Sequence, residues 1–176
     1  MIFLKKKCLL LLACITLYAN EILYFMPQEN KQALNHLISL IHGAKENINI
    51  SIYSFTNREI AKALRKSASR GVSVNIIYDK SSNYKNPSST IGFLSKYKNI
   101  HTCLLEGQPS PNKKYNGLMH QKMAIIDRTV LIIGSANWSK SAFAQNYETL
   151  FMTSNPQSIR KALKNFSQMF SSCTPY

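Results

Sequence analysis

A histidine and a lysine two residues apart, His120 and Lys122, form the pair in this chain best suited to chemistry. The run from His120 to Ile126 is apolar-rich and predicts a buried strand. Side chains two apart on a strand share a face, so an imidazole and an ammonium point the same way. An imidazole can attack or carry a proton, and a fixed cation beside it stabilises the negative charge on phosphoryl oxygens. Asp127 lies an odd number of residues from both and is aimed at the opposite face, which suits it to orienting the site or bracing a turn. Thr129 to Ile133 predicts a second strand, joined to the first by a tight turn at Asp127-Arg128. That strand delivers Gly134, Ser135 and Asn137 at its end. Ser135 and Asn137 share a face and can donate hydrogen bonds to a phosphate, and Gly134 lets backbone approach closely.

An isolated His-x-Lys is ordinarily a partly exposed pair, and an isolated Gly-Ser-x-Asn is ordinarily a turn. Joined as H-x-K-x4-D-x6-G-S-x-N, from His120 through Lys122, Asp127, Gly134 and Ser135 to Asn137, they resemble the phospholipase D superfamily, whose members cut phosphodiester bonds. In that family one motif His attacks phosphorus and forms a phosphohistidine. A His from a second motif protonates the leaving oxygen and then activates water. The resemblance implies that His120 is the nucleophile and that Lys122, Ser135 and Asn137 hold the phosphate, with Asp127, as a motif position, counted among the catalytic residues. Glu148 matches the position of an acidic residue that hydrogen-bonds the motif His, fixing its tautomer. No metal or other cofactor is implied, because Lys and Asn side chains supply the charge stabilisation.

The motif occurs once. His36 and His42 fall on a predicted N-terminal helix, and His101 has no Lys two residues on. Two-His chemistry from a one-motif chain needs two chains, and a symmetric homodimer with both motifs at its axis is the simplest solution. The single copy matches the short nucleases of the superfamily. The resemblance then implies a metal-independent endonuclease on DNA, with single strands preferred and RNA also open. A phospholipase or phosphatidyl-transferase acting on lipid headgroups is the alternative.

The surrounding pattern alternates. Strands are expected at Ile22 to Met26, Asn47 to Phe55, Val72 to Tyr78, Ile100 to Leu105 and Tyr147 to Thr153. Helices are expected at Pro27 to Ala44, Asn57 (as cap) to Ser69 with Gly71 as the stop, Ile91 to Tyr97, Ser139 to Gln145, and Pro156 to Phe170. Interleaved strands and helices argue for an α/β sandwich in one domain, and the motif hairpin makes its sheet mixed. No Gly-rich phosphate loop or calcium-binding loop pattern occurs.

Twenty-two Lys and Arg against eight Asp and Glu give a net charge of +14. Residues 1–19 read as an export signal, with Lys5-Lys6-Lys7 before a short apolar run and Ala19 before a plausible cut. Removing those lysines leaves +11, an excess that suits a polyanionic partner such as nucleic acid or an anionic membrane surface. Cleavage after Ala19, lipidation at Cys14 and retention as an uncleaved membrane anchor all stay open. Each places the domain of residues 20–176 in the periplasm or the cell envelope. Cys103 and Cys173 could pair in an oxidising compartment, with a zinc site including His101 a weaker option. Two polar loops carry cations beside aromatics and suit a single strand: Ser81 to Ser89, with Tyr84 and Lys85, and Gln108 to Gly117, with Lys113, Lys114 and Tyr115.

Overall fold

The structure is a computed structural model that describes residues 19–176. The expected export signal and the Cys14 lipidation site lie outside the described residues, apart from Ala19. Over the described residues, eight strands form one mixed sheet with helices on both faces. In chain order these are β1 (Glu21–Met26), α1 (Asn30–Gly43), β2 (Asn47–Ile52), α2 (Arg58–Ser69), β3 (Ser73–Asp79), α3 (Lys80–Asn83), α4 (Ile91–Leu94), β4 (Ile100–Leu105), β5 (Lys122–Ile126), β6 (Val130–Gly134), α5 (Lys140–Ala144), β7 (Glu148–Thr153), α6 (Pro156–Ser172) and β8 (Thr174–Pro175).

The strand order is β1-β7-β6-β5-β2-β3-β4-β8. β2, β3 and β4 run parallel, and the remaining pairs are antiparallel. The carboxyl ends of β2, β3, β4 and β6 therefore meet the amino ends of β5 and β7 along one edge. Crevices outside the carboxyl ends of parallel strands are where α/β sheets place their ligands.

Two hydrophobic layers fix the sandwich. On one face Leu37 and Ile41 of α1, Ile60 and Leu64 of α2, Leu94 of α4 and Phe143 of α5 pack on Ile48, Ile50, Ile52 and Ala124. On the other face α6 alone brings Ile159 and Phe166 onto Ile77, Met123, Ile125 and Leu131. Covered on both sides, β5 is buried throughout, which is why its apolar run does not alternate. Asparagine caps open α2, as expected, and also α6. Asn57 accepts from the amides of Glu59 (2.9 Å) and Ile60 (3.3 Å), and Asn155 accepts from Gln157 and Ser158 (3.0 Å each). Gly71 stops α2 with φ +99°, which only glycine adopts freely.

Three expectations are corrected. α1 starts at Asn30 rather than Pro27, because Glu29 turns the chain back: its amide donates to the Phe25 carbonyl (3.0 Å) and its carboxylate accepts from the Phe25 amide (2.8 Å). β2 ends at Ile52 rather than Phe55, because Phe55 leaves the sheet to pair with Trp138. The loop expected over Ser81 to Ser89 begins as the helical turn α3, and its Asn83 and Ser89 are buried. Cys103 and Cys173 form a disulfide with Cα atoms 5.7 Å apart, tying the end of α6 to β4. Both sulfurs are thereby used, which leaves no zinc site with His101.

Candidate active site

His120 and Lys122 meet at the sheet edge. Strand pairing sets Ile52 opposite Lys122, and the Tyr53 amide donates to the Gln121 carbonyl at 2.9 Å, so the end of β2 carries the entry to β5. His120 precedes the strand and is exposed, while Lys122 opens it and is 8% exposed. Lys122 Nζ lies 3.0 Å from His120 Nδ1, 3.1 Å from Nε2 and 2.9 Å from the His120 carbonyl oxygen. An ammonium can only donate, so Lys122 presents donors to the His120 carbonyl and holds its charge against the imidazole ring. Burial pulls the Lys122 ammonium below the ordinary lysine range, against the opposing charges of Glu148 and Asp79. A partly desolvated cation suits an anionic oxygen arriving from outside.

Tyr53 completes this arrangement. Its ring lies 4.5 Å from that of His120, and the Lys122 ammonium is 5.2 Å from its centroid. No sequence motif points to Tyr53. The only local hint is an aromatic residue at a strand end, just before the Asn57 cap. Asp79, fully buried at the end of β3, was also missed. It accepts from the Met119 amide at 2.9 Å and from the Ser82 amide at 2.9 Å, fixing the residue before His120. Its hint was an acid at a strand end followed by Ser-Ser-Asn, which is capping chemistry.

Tyr53 acts on His120 as a positioning residue, which gives a prediction. Tyr53→Ala is expected to lower kcat by about 10–100-fold through lost orientation of the imidazole, and Tyr53→Phe to restore most of it. Equal kcat for both variants and the parent, in a steady-state assay on any cleavable phosphodiester, would remove Tyr53 from the site.

The second half of the motif is held by Trp138, which is buried. Its carbonyl accepts from the amides of Thr56 (2.9 Å) and Asn57 (2.8 Å), and its amide donates to Ser54 at 3.0 Å. Asn137 is carried beside the end of β6. It makes no side-chain hydrogen bond among the described residues, and its Oδ1 is buried without a partner.

The remaining expected site residues separate. Ser135 donates its hydroxyl proton to Glu148 and accepts from the Thr149 amide at 3.0 Å, so its side chain is engaged within the protein. Glu148 meets Ser135 and not His120, a correction that follows from β6 and β7 being direct neighbours. Gly134 was expected to admit phosphate. Instead a Cβ there would run into the Thr149 carbonyl oxygen, so the glycine serves close strand packing.

Asp127 was grouped with the catalytic residues, yet it sits at the far end of β5, about 17 Å of strand from Lys122. Its carboxylate accepts from the amides of Lys45 and Glu46 (2.8 Å each) and Asn47 (3.0 Å). Of its two expected roles, the structure gives it the brace. Lys113, Lys114 and Tyr115 stand exposed at the tip of the loop before His120, with no side-chain hydrogen bonds among the described residues.

All four histidines are described, and one reaches the site. His36 and His42 ride on α1, with His36 bonded to the Tyr24 hydroxyl at 2.9 Å, and His101 opens β4 at the end away from the edge. Among the described residues no three His, Cys, Asp or Glu side chains cluster as a metal site, and no helix is long and apolar enough to cross a membrane.

Comparison with known proteins places this geometry. The family described as "Cardiolipin synthase, PLD-like domain" matches residues 37–170. NucT from Helicobacter pylori is 48% identical with a TM-score of 0.89, over 90% of this chain and all of that one. Nuc from Salmonella typhimurium, a phospholipase D family member, is 26% identical with a TM-score of 0.74, over 90% of this chain and 99% of that one. The human mitochondrial cardiolipin hydrolase is 28% identical over 145 residues, 82% of this chain but only 54% of that longer protein. The chain spans little more than half the length of the curated relatives it matches, and on the family match and the fold it belongs to the phospholipase D superfamily.

Proposed function

We propose that the protein is an exported endonuclease that hydrolyses DNA without a metal ion, with single strands preferred and RNA as a further substrate, through a phosphohistidine at a homodimer interface. The observation that carries this reading is the His120–Lys122 contact: an exposed nucleophile against a buried cation, one such pair per chain. His120 attacks phosphorus as Lys122 and the unpartnered amide of Asn137 hold the non-bridging oxygens. The leaving oxygen takes its proton from the second protomer's imidazole, which then activates water to release the phosphate from His120.

An unpartnered apolar face supports the second protomer. Leu23, Phe151 and Ile133 stand in one row across β1, β7 and β6, with Phe25 beside them. α6 leaves them uncovered: Leu23 is 47% exposed, Phe25 53% and Ile133 39%. Ile133 pairs with Met123, the residue after Lys122, so this patch reaches the same end of the sheet as the site, on its α6 face. A contiguous apolar patch beside an incomplete active site suits an isologous interface.

Full-length similarity to NucT favours nucleic acid, as does the charge of +14. Lys113, Lys114 and Tyr115, free at their loop tip, suit a passing strand. The Cys103–Cys173 disulfide suits an oxidising compartment such as the periplasm, with residues 1–19 as the export signal or membrane attachment. A lipid headgroup substrate is favoured by one observation, the match to cardiolipin hydrolases and the cardiolipin synthase domain.

The test is cleavage of single-stranded DNA by the purified protein in excess EDTA, beside a matched duplex and cardiolipin vesicles. Single-strand cutting that survives chelation is the expected result. Cutting lost to EDTA would refute the metal-free chemistry, and turnover of cardiolipin alone would move the protein to the lipid reading.

A further inference from the structure

A cavity lined by cations opens on the surface away from the His120–Lys122 contact itself, with none of those site residues in its lining. It has a volume of about 450 Å³, within the range of small-ligand pockets, and lies between the start of α2 and the segment from α3 to α4. Arg58, Lys85 and Lys96 line it, with no Asp or Glu side chain among its lining residues. Phe93 and Tyr176 add two rings. In a protein with eight carboxylates for its twenty-two cations, three cations converging on one cavity are still notable for lacking any acid to neutralise them.

Asn83 joins this cavity to the chemistry. It lines the cavity and is buried, and its Nδ2 donates to the Tyr53 carbonyl at 2.7 Å and the Asp79 carbonyl at 2.9 Å. The tilted ring of Tyr53 lies against His120, and Asp79 holds the Met119 amide. One residue of the cavity wall, Asn83, is thus bonded to the backbone of the two residues that flank the nucleophile.

We propose that this cavity is a subsite for a phosphate and base flanking the scissile phosphodiester on the same single strand. The inference rests on the nuclease reading and extends it. A strand whose scissile phosphate lies at His120 and Lys122 passes Tyr53 and sets its next phosphates among Arg58, Lys85 and Lys96. A neighbouring base stacks on Phe93 or Tyr176, as unpaired bases do on aromatic platforms. A duplex keeps its bases stacked inside and cannot offer them, so the subsite gives a physical cause for single-strand preference.

The test uses the non-cleaving His120→Ala protein and a fluorescent single-stranded oligonucleotide. The dissociation constant is measured against salt by anisotropy. Lys85→Gln with Lys96→Gln removes two exposed cations from the cavity, and Lys161→Gln with Lys164→Gln removes two exposed cations from α6 as a charge-matched control. The cavity pair is expected to weaken binding about tenfold near 0.1 M salt and to reduce the slope of log K against log salt by about 1.4, two phosphates' worth on a single strand. The control pair is expected to change both far less. Equal effects of the two pairs would overturn the subsite while leaving the nuclease reading standing. A parent protein that neither binds nor cuts single-stranded DNA would overturn that reading itself. If the cavity pair loses affinity for cardiolipin vesicles but not for DNA, the occupant is a lipid headgroup and the proposal falls.

Discussion

Replacing His120 with alanine is expected to lower kcat for phosphodiester cleavage by at least about 10⁴-fold, roughly 5 kcal/mol of barrier, while leaving fold and DNA affinity close to those of the parent. His120 is exposed and precedes β5, so its removal takes no side chain from the hydrophobic core and breaks no sheet ladder. What is lost is the lone pair held beside the Lys122 ammonium at 3.0 Å, and no other imidazole of the chain reaches that edge. Under the proposed dimer the effect is also dominant. When parent and His120→Ala chains are unfolded together and reassociated in equal amounts, only dimers with two imidazoles turn over. About one quarter of the parent's activity should remain, against about one half for independent protomers. Residual activity near one half would refute the shared site. Wild-type turnover in the pure variant would remove His120 from the mechanism altogether.

The second large effect falls on stability rather than chemistry. Asp127→Ala is expected to cost about 3 kcal/mol, a fall of roughly 6–12 °C in Tm, with kcat per folded molecule little changed. Its carboxylate satisfies three amides at the entry to β2, and those bonds have no substitute once it is gone. The residue also sits at φ 49°, a region that Asp tolerates and Ala resists. Burial pushes this carboxyl up, but bonds from Glu46, Lys45 and Asn47, with the Lys45 charge, hold it below the usual carboxylate range overall. A carboxyl depressed on folding contributes stability that is fully present above the unfolded value of about 3.9 and is lost as pH falls through the folded value. The stability gap between the parent and Asp127→Asn should therefore be steady at neutral pH and narrow below about pH 4. Thermal melts across that range decide the matter. An unchanged Tm with lost turnover would return Asp127 to the catalytic set.

Asp127 also marks the boundary between what spacing encodes and what packing decides. His120 and Lys122 share a face because strand geometry repeats every two residues, and that is local. The alternation of elements, the Asn57 cap, the Gly71 stop and the mixed sheet are equally local in origin, so they were legible in the sequence. The six motif positions carried the family and the phosphodiester chemistry for the same reason: each is fixed relative to its neighbours by one hairpin.

The tertiary structure decided which distant groups complete the edge. Asp127 is bonded to residues some 80 positions away, Asp79 to Met119 40 positions on, and Tyr53 meets His120 only because β2 lies antiparallel to β5. Glu148 turns to Ser135 because β6 and β7 are adjacent, and Gly134 is small because the Thr149 carbonyl takes the space. These pairings depend on strand order, which no periodicity along the chain specifies. The residues that could do the chemistry were therefore written in the sequence, whereas those that orient the nucleophile, brace the loops and shape the neighbouring cavity emerged only when the sheet set its edge.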